Sequence, residues 1–216
     1  MAEAAAVTTT YKAYPGRVVH DEKFSKSFTL SWTHPDVIAR KSALHGTGMV
    51  ATKVIPQGTV VWKASEKERD FWFHQDEIST WSEEDQRVFH INAYQVAEGW
   101  WSGCTPGIKE EDRDISEYMN HSCEPTCWFV DDDTMVATRD IQPEEEITYD
   151  YATSETANSV HVKAGWQCRC GSKLCRGRLT GEEWKDPELK QRYHGHFTSF
   201  VQKLIDGSEE SSSNSD

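Results

Sequence analysis

Turn residues interrupt this chain so often that its β-prone stretches are all short, and that spacing limits what it can fold into. Phe28–Trp32 alternates apolar and hydroxyl side chains as a half-buried strand would. Leu44 to Val50 sets two glycines in a turn ahead of another such run, and Thr52–Ile55 ends at Pro56-Gln57-Gly58 before Thr59–Trp62 begins the next. Residues 65 to 90 are charged and aromatic with mixed helical periodicity and read as helix and loop. Ile91–Val96 returns to strand, and 98 to 114 reads as loop. Cys127–Val130 and Thr134–Thr138 straddle three aspartates as a hairpin, and Glu146–Tyr151 is a further strand. Residues 152 to 164 link to a Cys/Gly-rich knuckle at 165 to 181. Pro187 to Ile205 then carries a helical stripe of Leu189, Tyr193, Phe197, Phe200, Val201 and Leu204. Segments this short leave little room for βαβ crossovers, so the expected class is mostly β with some α, not a doubly wound parallel sheet.

Composition narrows the class. With 216 residues and 37% hydrophobic content the chain can fill one good core and a small satellite. No run reaches the roughly 18 apolar residues of a membrane span, so no membrane partner is expected. The start lacks a basic region followed by a long apolar one, which argues against a secretory signal. Residues 1–14 read as a disordered leader, and 206–216, rich in Ser and acid, as a disordered tail. Lys plus Arg number 23 against 36 Asp plus Glu, a net charge of −13; without the four acids of the tail it is still −9. A surface that binds nucleic acid must displace counterions with Lys and Arg. This balance disfavours nucleic acid and favours a basic partner.

Two short motifs carry chemistry. Gly46-Thr47-Gly48 lets backbone approach a ligand closely but lacks the rest of a dinucleotide or phosphate loop. Cys168, Cys170 and Cys175 sit among polar and glycine residues that offer buried thiols little apolar cover, so they read as three ligands of a tetrahedral zinc ion. Cys123, Cys127, Cys104 and His161 are candidates for the fourth. Thiols used in this way fit a reducing, intracellular compartment. His194 and His196, two apart, do not share a helix face and read as surface residues.

Tyr118-Met119-Asn120-His121-Ser122-Cys123-Glu124-Pro125, followed by Glu145-Glu146-Ile147-Thr148-Tyr149-Asp150-Tyr151, resembles the two signature segments of the SET-domain protein lysine methyltransferases. The glycine turn stands where that family has its first cofactor loop, and the knuckle resembles its post-SET zinc element. The resemblance runs from about residue 40 to 180. It implies a SET domain of small sheets over 15–164, with a helical insert at about 65–97 and a knot-like segment near Tyr151. A zinc flap would follow at 165–181 and a C-terminal helix at 182–205. It implies that Gly46, Thr47, Gly48, Tyr118, Asn120, His121, Tyr151 and Leu179 bind S-adenosylmethionine. Tyr151 would be the catalytic tyrosine, Tyr149 the residue that limits product multiplicity, and Cys123 the fourth ligand to one structural zinc ion.

The activity so implied is methyl transfer to a lysine of a basic protein such as a histone tail, giving mono- or dimethyl product, with the nucleus favoured over the cytosol. A non-histone substrate and a catalytically weak interaction module are the alternatives. Two departures from the family pattern bear on the site: Glu117 replaces a common Arg, and Thr126 a common Asn. Glu144–Glu146 and Asp131–Asp133 read as solvated turns.

Overall fold

A computed structural model of the chain describes residues 31–65, 71–104, 107, 113–159, 162 and 165–213. The expected leader, most of the Phe28–Trp32 strand and His161 lie outside those residues. Among the described residues, eleven short strands form three sheets. β1 (Ser31–Thr33), β2 (Val37–Lys41), β3 (Thr47–Ala51) and β4 (Val60–Ala64) come first. The insert follows with β5 (Trp72–His74), α1 (Gln75–Ile78), α2 (Glu83–Asn92), β6 (Tyr94–Ala97) and β7 (Trp100–Ser102). Then come β8 (Asn120–His121), β9 (Cys127–Asp131), β10 (Thr134–Ala137) and β11 (Glu146–Tyr149), and finally α3 (Pro187–Arg192) and α4 (Ser199–Ser213).

The sheet orders are β1-β4-β10-β9, β2-β3-β11-β8 and β5-β7-β6. The first two close on one core. β3 and β11 contribute Met49, Ala51 and Ile147, while β4, β9 and β10 contribute Val61, Trp62, Phe129 and Met135. Ile55 and Ile141 exchange backbone hydrogen bonds at 3.0 and 2.9 Å beside them. Each such side chain contributes about 2 kcal/mol by leaving water. The mostly β architecture expected from the sequence is thus present, and the hairpin β9–β10 forms where it was expected.

The insert is more structured than its composition suggests. Phe71, Phe73, Ile78, Phe89, Ala93 and Trp101 make a second core, in which Phe89 meets Phe73 and Trp81 edge-on at 5.6 and 5.1 Å. α2 is started by Ser82, whose side chain accepts from the Asp85 amide and donates to the Asp85 carboxylate, a reciprocal cap. That helix runs through Ile91 and Asn92, so the strand expected from Ile91 begins only at Tyr94. β5 and β7, expected as helix or loop, pair antiparallel. Both are aromatic at successive positions, so they lack the apolar–polar alternation that marks a half-buried strand.

The C-terminal region differs in two ways from a single helix over 182–205 followed by a disordered tail. Gly195 (φ +78°) lies in the break between α3 and α4. α4 then continues through the acidic, Ser-rich segment to Ser213. Once Val201 and Ile205 are packed, each added residue brings one hydrogen bond at little nucleation cost, and Lys190 pairs with Glu209 at 3.1 Å. His196 is not a plain surface residue: its ring stacks on Trp128 with centroids 3.7 Å apart.

Because Phe89 is the centre of the insert's core, Phe89→Ala should lower unfolding free energy by about 3–5 kcal/mol, measured by urea denaturation.

Candidate active site and metal cluster

The site begins with one strand pairing. β8 runs parallel to β11, setting Asn120 against Thr148 and His121 against Tyr149. Two motifs far apart in sequence thereby share one sheet edge. The Asn120 amide nitrogen donates toward the carbonyls of His45 and Thr47, each at 3.0 Å, and toward Glu146 Oε1 at 2.7 Å. Glu146 also accepts from the Ser42 hydroxyl. A Cβ on Gly48 would lie 2.2 Å from Glu146 Oε1, so any larger residue there would displace the Glu146 carboxylate from Asn120. Gly46 has φ +49°. Glu146 is therefore not part of a solvated turn: it ties the glycine turn to Asn120.

His121 is buried, and its hydrogen bonds assign its proton. The Tyr151 backbone N–H donates to Nδ1 at 3.1 Å, so the ring hydrogen sits on Nε2, which lies 3.3 Å from Cys123 Sγ. Burial brings its pKa down to about 4; Asp150 works against that shift and Arg176 with it. The imidazole is neutral. Asp150, also buried, accepts both arms of the Arg176 guanidinium at 2.6 and 2.8 Å and the Tyr193 hydroxyl at 2.8 Å. Burial alone would raise its pKa, but the Arg176 fork and its neighbours hold it below the ordinary value. Asp150 also caps the 3-10 turn Tyr151–Thr153. Tyr151 thus opens that turn instead of ending the strand expected over Glu146–Tyr151, and β11 stops at Tyr149.

The Tyr151 hydroxyl donates to the Met119 carbonyl at 3.0 Å, next to Asn120. Burial, then the charge of Glu155, drives the Tyr151 pKa well up; burial, then Tyr151 and Glu155, does the same at Tyr149. Both phenols stay protonated. Tyr149, Tyr151, Met119, Trp62, Phe129 and Glu155 line a cavity of about 60 Å³. Gly46, Thr47, Tyr118 and Arg113 line a wider cleft of about 470 Å³. Trp166, which the sequence did not single out, stacks on Tyr151 at 6.0 Å and meets His121 edge-on at 5.5 Å. Its only signal was a large aromatic at the edge of a polar, cysteine-rich segment. Glu117 pairs with Arg113 at 2.9 Å and accepts the Cys104 amide at 2.8 Å, so this family departure braces the cleft wall. Thr126 bonds backbone and side chain of Thr148 and sits inside the fold.

The sulfur atoms of Cys123, Cys168, Cys170 and Cys175 all lie within 4.8 Å of one another. Those of Cys123 and Cys168 are 3.8 Å apart. Four thiolates about 2.3 Å from a tetrahedral ion would be spaced by about 3.8 Å, so the set could hold a metal. Burial pushes the Cys123 thiol up to about 11. Cys170 is brought down to about 7, where backbone amides and the neighbouring thiols outweigh burial. Cys127 is elsewhere, in the main core with its Sγ 3.1 Å from the Thr148 carbonyl, and Cys104 belongs to the insert's core. The flap is closed by a bridge between Gln167 and Arg178, after which Leu179 is buried. Gly181 (φ +71°) follows, so close to 156–157 that a Cβ would lie 2.2 Å from the Ala157 nitrogen.

Residues 46–152 match the SET domain family, and with this fold and these motifs the chain belongs to it. It is 35% identical over 88 residues to the histone-lysine N-methyltransferase, H3 lysine-9 specific, of Schizosaccharomyces pombe, an alignment covering 32% of this chain and 18% of that protein. It is 38% identical over 79 residues to the histone-lysine N-methyltransferase ASHR3 of Arabidopsis thaliana, covering 33% and 14%. It is also 38% identical over 74 residues to the histone-lysine N-methyltransferase SETD2 of Homo sapiens, covering 31% and 3%. The chain spans less than a fifth of the length of these curated relatives.

Arg176→Met would leave the buried Asp150 charge uncompensated, and unfolding free energy should fall by about 3–5 kcal/mol. In a double-mutant cycle with Asp150→Asn the two losses should sum to more than the loss in the double variant.

Proposed function

We propose that the chain is an S-adenosylmethionine-dependent protein-lysine N-methyltransferase acting on a basic protein, a histone tail in the first place, in the nucleus. The observation that carries this reading is the meeting of the wide cleft's signature segment with the Tyr149–Tyr151 cavity, through the β8–β11 pairing and the Tyr151–Met119 hydrogen bond. When bound, S-adenosylmethionine supplies an electrophilic methyl group on a sulfonium. Gly46, Thr47, Gly48 and Tyr118 would line its cleft, with Asn120, His121, Tyr151 and Leu179 completing the surface.

The chain's own residues act on the amine. A lysine in water carries its proton up to a pKa of about 10.4. Walls of Met119, Trp62, Phe129, Tyr149 and Tyr151 favour the neutral form by desolvation. A phenol oxygen that donates one hydrogen bond can still accept another. Tyr151, fixed by His121 and the Met119 carbonyl, therefore orients an amine N–H and with it the lone pair. Tyr149 is buried beside it, with ring centroids 4.8 Å apart, and its hydroxyl crowds a second or third methyl. Cys123, Cys168, Cys170 and Cys175 would hold one zinc ion, whose role would be structural, with Cys123 joining the flap to the segment that carries His121. The net charge of −13 suits a basic substrate.

Incubation with methyl-labelled cofactor and core histones, alongside whole-cell extract, tests the reading. Label should enter a lysine, and Tyr151→Phe should cut the rate about 100-fold or more. Transfer to neither protein source, or full activity of Tyr151→Phe, would refute it. Mass spectrometry should find mono- and dimethyl product, shifting toward trimethyl in Tyr149→Phe. Metal analysis should return one zinc per chain, lost in Cys123→Ser together with protection of the flap from proteolysis.

A further inference from the structure

Glu155 is a carboxylate on the cavity wall that this reading leaves without a task. It lies just after the Tyr151–Thr153 turn, is 3% exposed, and lines the same cavity as Tyr149 and Tyr151. Its partners are few. Oε1 accepts the Gln95 amide at a long 3.3 Å. Ser159 lies close enough to favour the ionised form, yet Oε2 has no partner of hydrogen-bond geometry among the described residues. No lysine or arginine among those residues pairs with it. Among the described residues the phenols of Tyr94, Tyr149 and Tyr151 share its cavity, and its charge perturbs the last two. Glu117, also on the cavity wall, is already paired with Arg113. A buried carboxylate normally has a cation or a full set of donors. Among the described residues this one has neither, and it borders the space into which an amine would project.

We propose that Glu155 receives the substrate's ε-ammonium: it selects a cationic amine over neutral isosteres and takes one of its N–H protons before methyl transfer. The proposal rests on the methyltransferase reading for the identity of the amine. Proton transfer breaks one N–H bond and leaves its electron pair on nitrogen as the lone pair that the reaction needs. The new O–H bond forms on the carboxylate, and the proton passes to solvent when the cavity empties. Burial supports such a role: it raises the Glu155 pKa to about 7, against the opposing pull of Ser159 and the Gln95 amide. The carboxylate is thus a far better proton acceptor than an ordinary glutamate and is still substantially ionised near neutrality.

The test uses two probes on the full chain, n-butylammonium and 1-butanol, followed by NMR titration. Butylammonium should bind about tenfold more tightly at about pH 8 than at about pH 5.5, while butanol shows no such change. Glu155→Gln should abolish the difference. Equal pH dependence in the variant, or no preference for the cation, would overturn the proposal. Folding of the variant is checked by its melt. A carboxylate whose pKa is raised on folding loses its stabilising contribution as pH rises from about 4.5 to about 7, so the Gln variant should melt higher than the wild type at about pH 8. In the wild type alone, carbon-13 NMR of Glu155 should show its pKa falling on saturation with butylammonium; an unmoved pKa refutes the pairing without any variant. The log of kcat/KM for a lysine peptide should rise through about pH 7 in the wild type and lose that limb in Glu155→Gln. Cation binding without methyl transfer to any protein would overturn the methyltransferase reading and leave the ammonium site standing. Methyl transfer unaffected by Glu155→Gln would do the reverse.

Discussion

Both ring nitrogens of His121 are in use, and much of the site follows from that. The imidazole can accept the Tyr151 amide and face the Cys123 sulfur with a proton only in one neutral tautomer. A protonated ring would turn two donors outward and lose the Tyr151 amide as a partner. Asp150, 3.5 Å away, would favour that cation if it stood alone. At an effective dielectric of about 20, a unit charge at such a distance is worth about 4 kcal/mol. Burial outweighs that pull and Arg176 offsets part of it with a bidentate pair, and Arg176 lies in the knuckle that also supplies Cys168, Cys170 and Cys175. The flap therefore adds to burial in keeping neutral the residue that positions Tyr151, a coupling that needs no movement, only the presence of the guanidinium.

The cavity gains its shape from belonging to two cores. Met119, Phe129 and Tyr149 come from the main cluster, whereas Ala93 belongs to the insert's own cluster. Gln95 on β6 bridges the two: its amide reaches Glu155, and its side-chain oxygen accepts from Thr156 at 2.7 Å. An insert with an independent core can vary in sequence without disturbing the sheets that hold Asn120, His121 and Tyr151. Changes there would reach one wall of the cavity, so the insert can tune which side chain is admitted while the paired strands preserve the chemistry.

Legibility in the sequence tracked how narrowly each position is constrained. The glycine turn could be read because Gly46 takes a positive φ and Gly48 stands against the Glu146 carboxylate, and the cysteines because a metal site requires thiols at close spacing. Hairpin β9–β10 was visible from its alternation around three aspartates. The insert sheet was not, since β5 and β7 place aromatics on both faces. The helical tail was hidden as well: residues 206–213 have poor intrinsic helix propensity, and they are helical as the continuation of a turn anchored by Val201 and Ile205. Glu146 and Trp166 act across the chain, on Asn120 and Tyr151 respectively, and no local pattern marks a long-range partner.

The buried acids show why an overall charge says little about chemistry. Asp114 accepts both the amide and the hydroxyl of Ser31 at 2.8 Å, Glu183 accepts from both groups of Thr180, and Asp150 has Arg176 and Tyr193. Asp114 and Asp150 each hold distant segments together, Glu183 closes a local turn, and each has enough donors to offset its removal from water. Glu155 breaks that pattern in the same protein, under the same burial. A structural carboxylate left this short of donors could be replaced by an amide or an apolar residue with a gain in stability. Its place on the wall shared by Tyr149 and Tyr151 supplies the reason to keep it: an incoming cation would complete its shell, so the deficit is local to the space proposed for the amine.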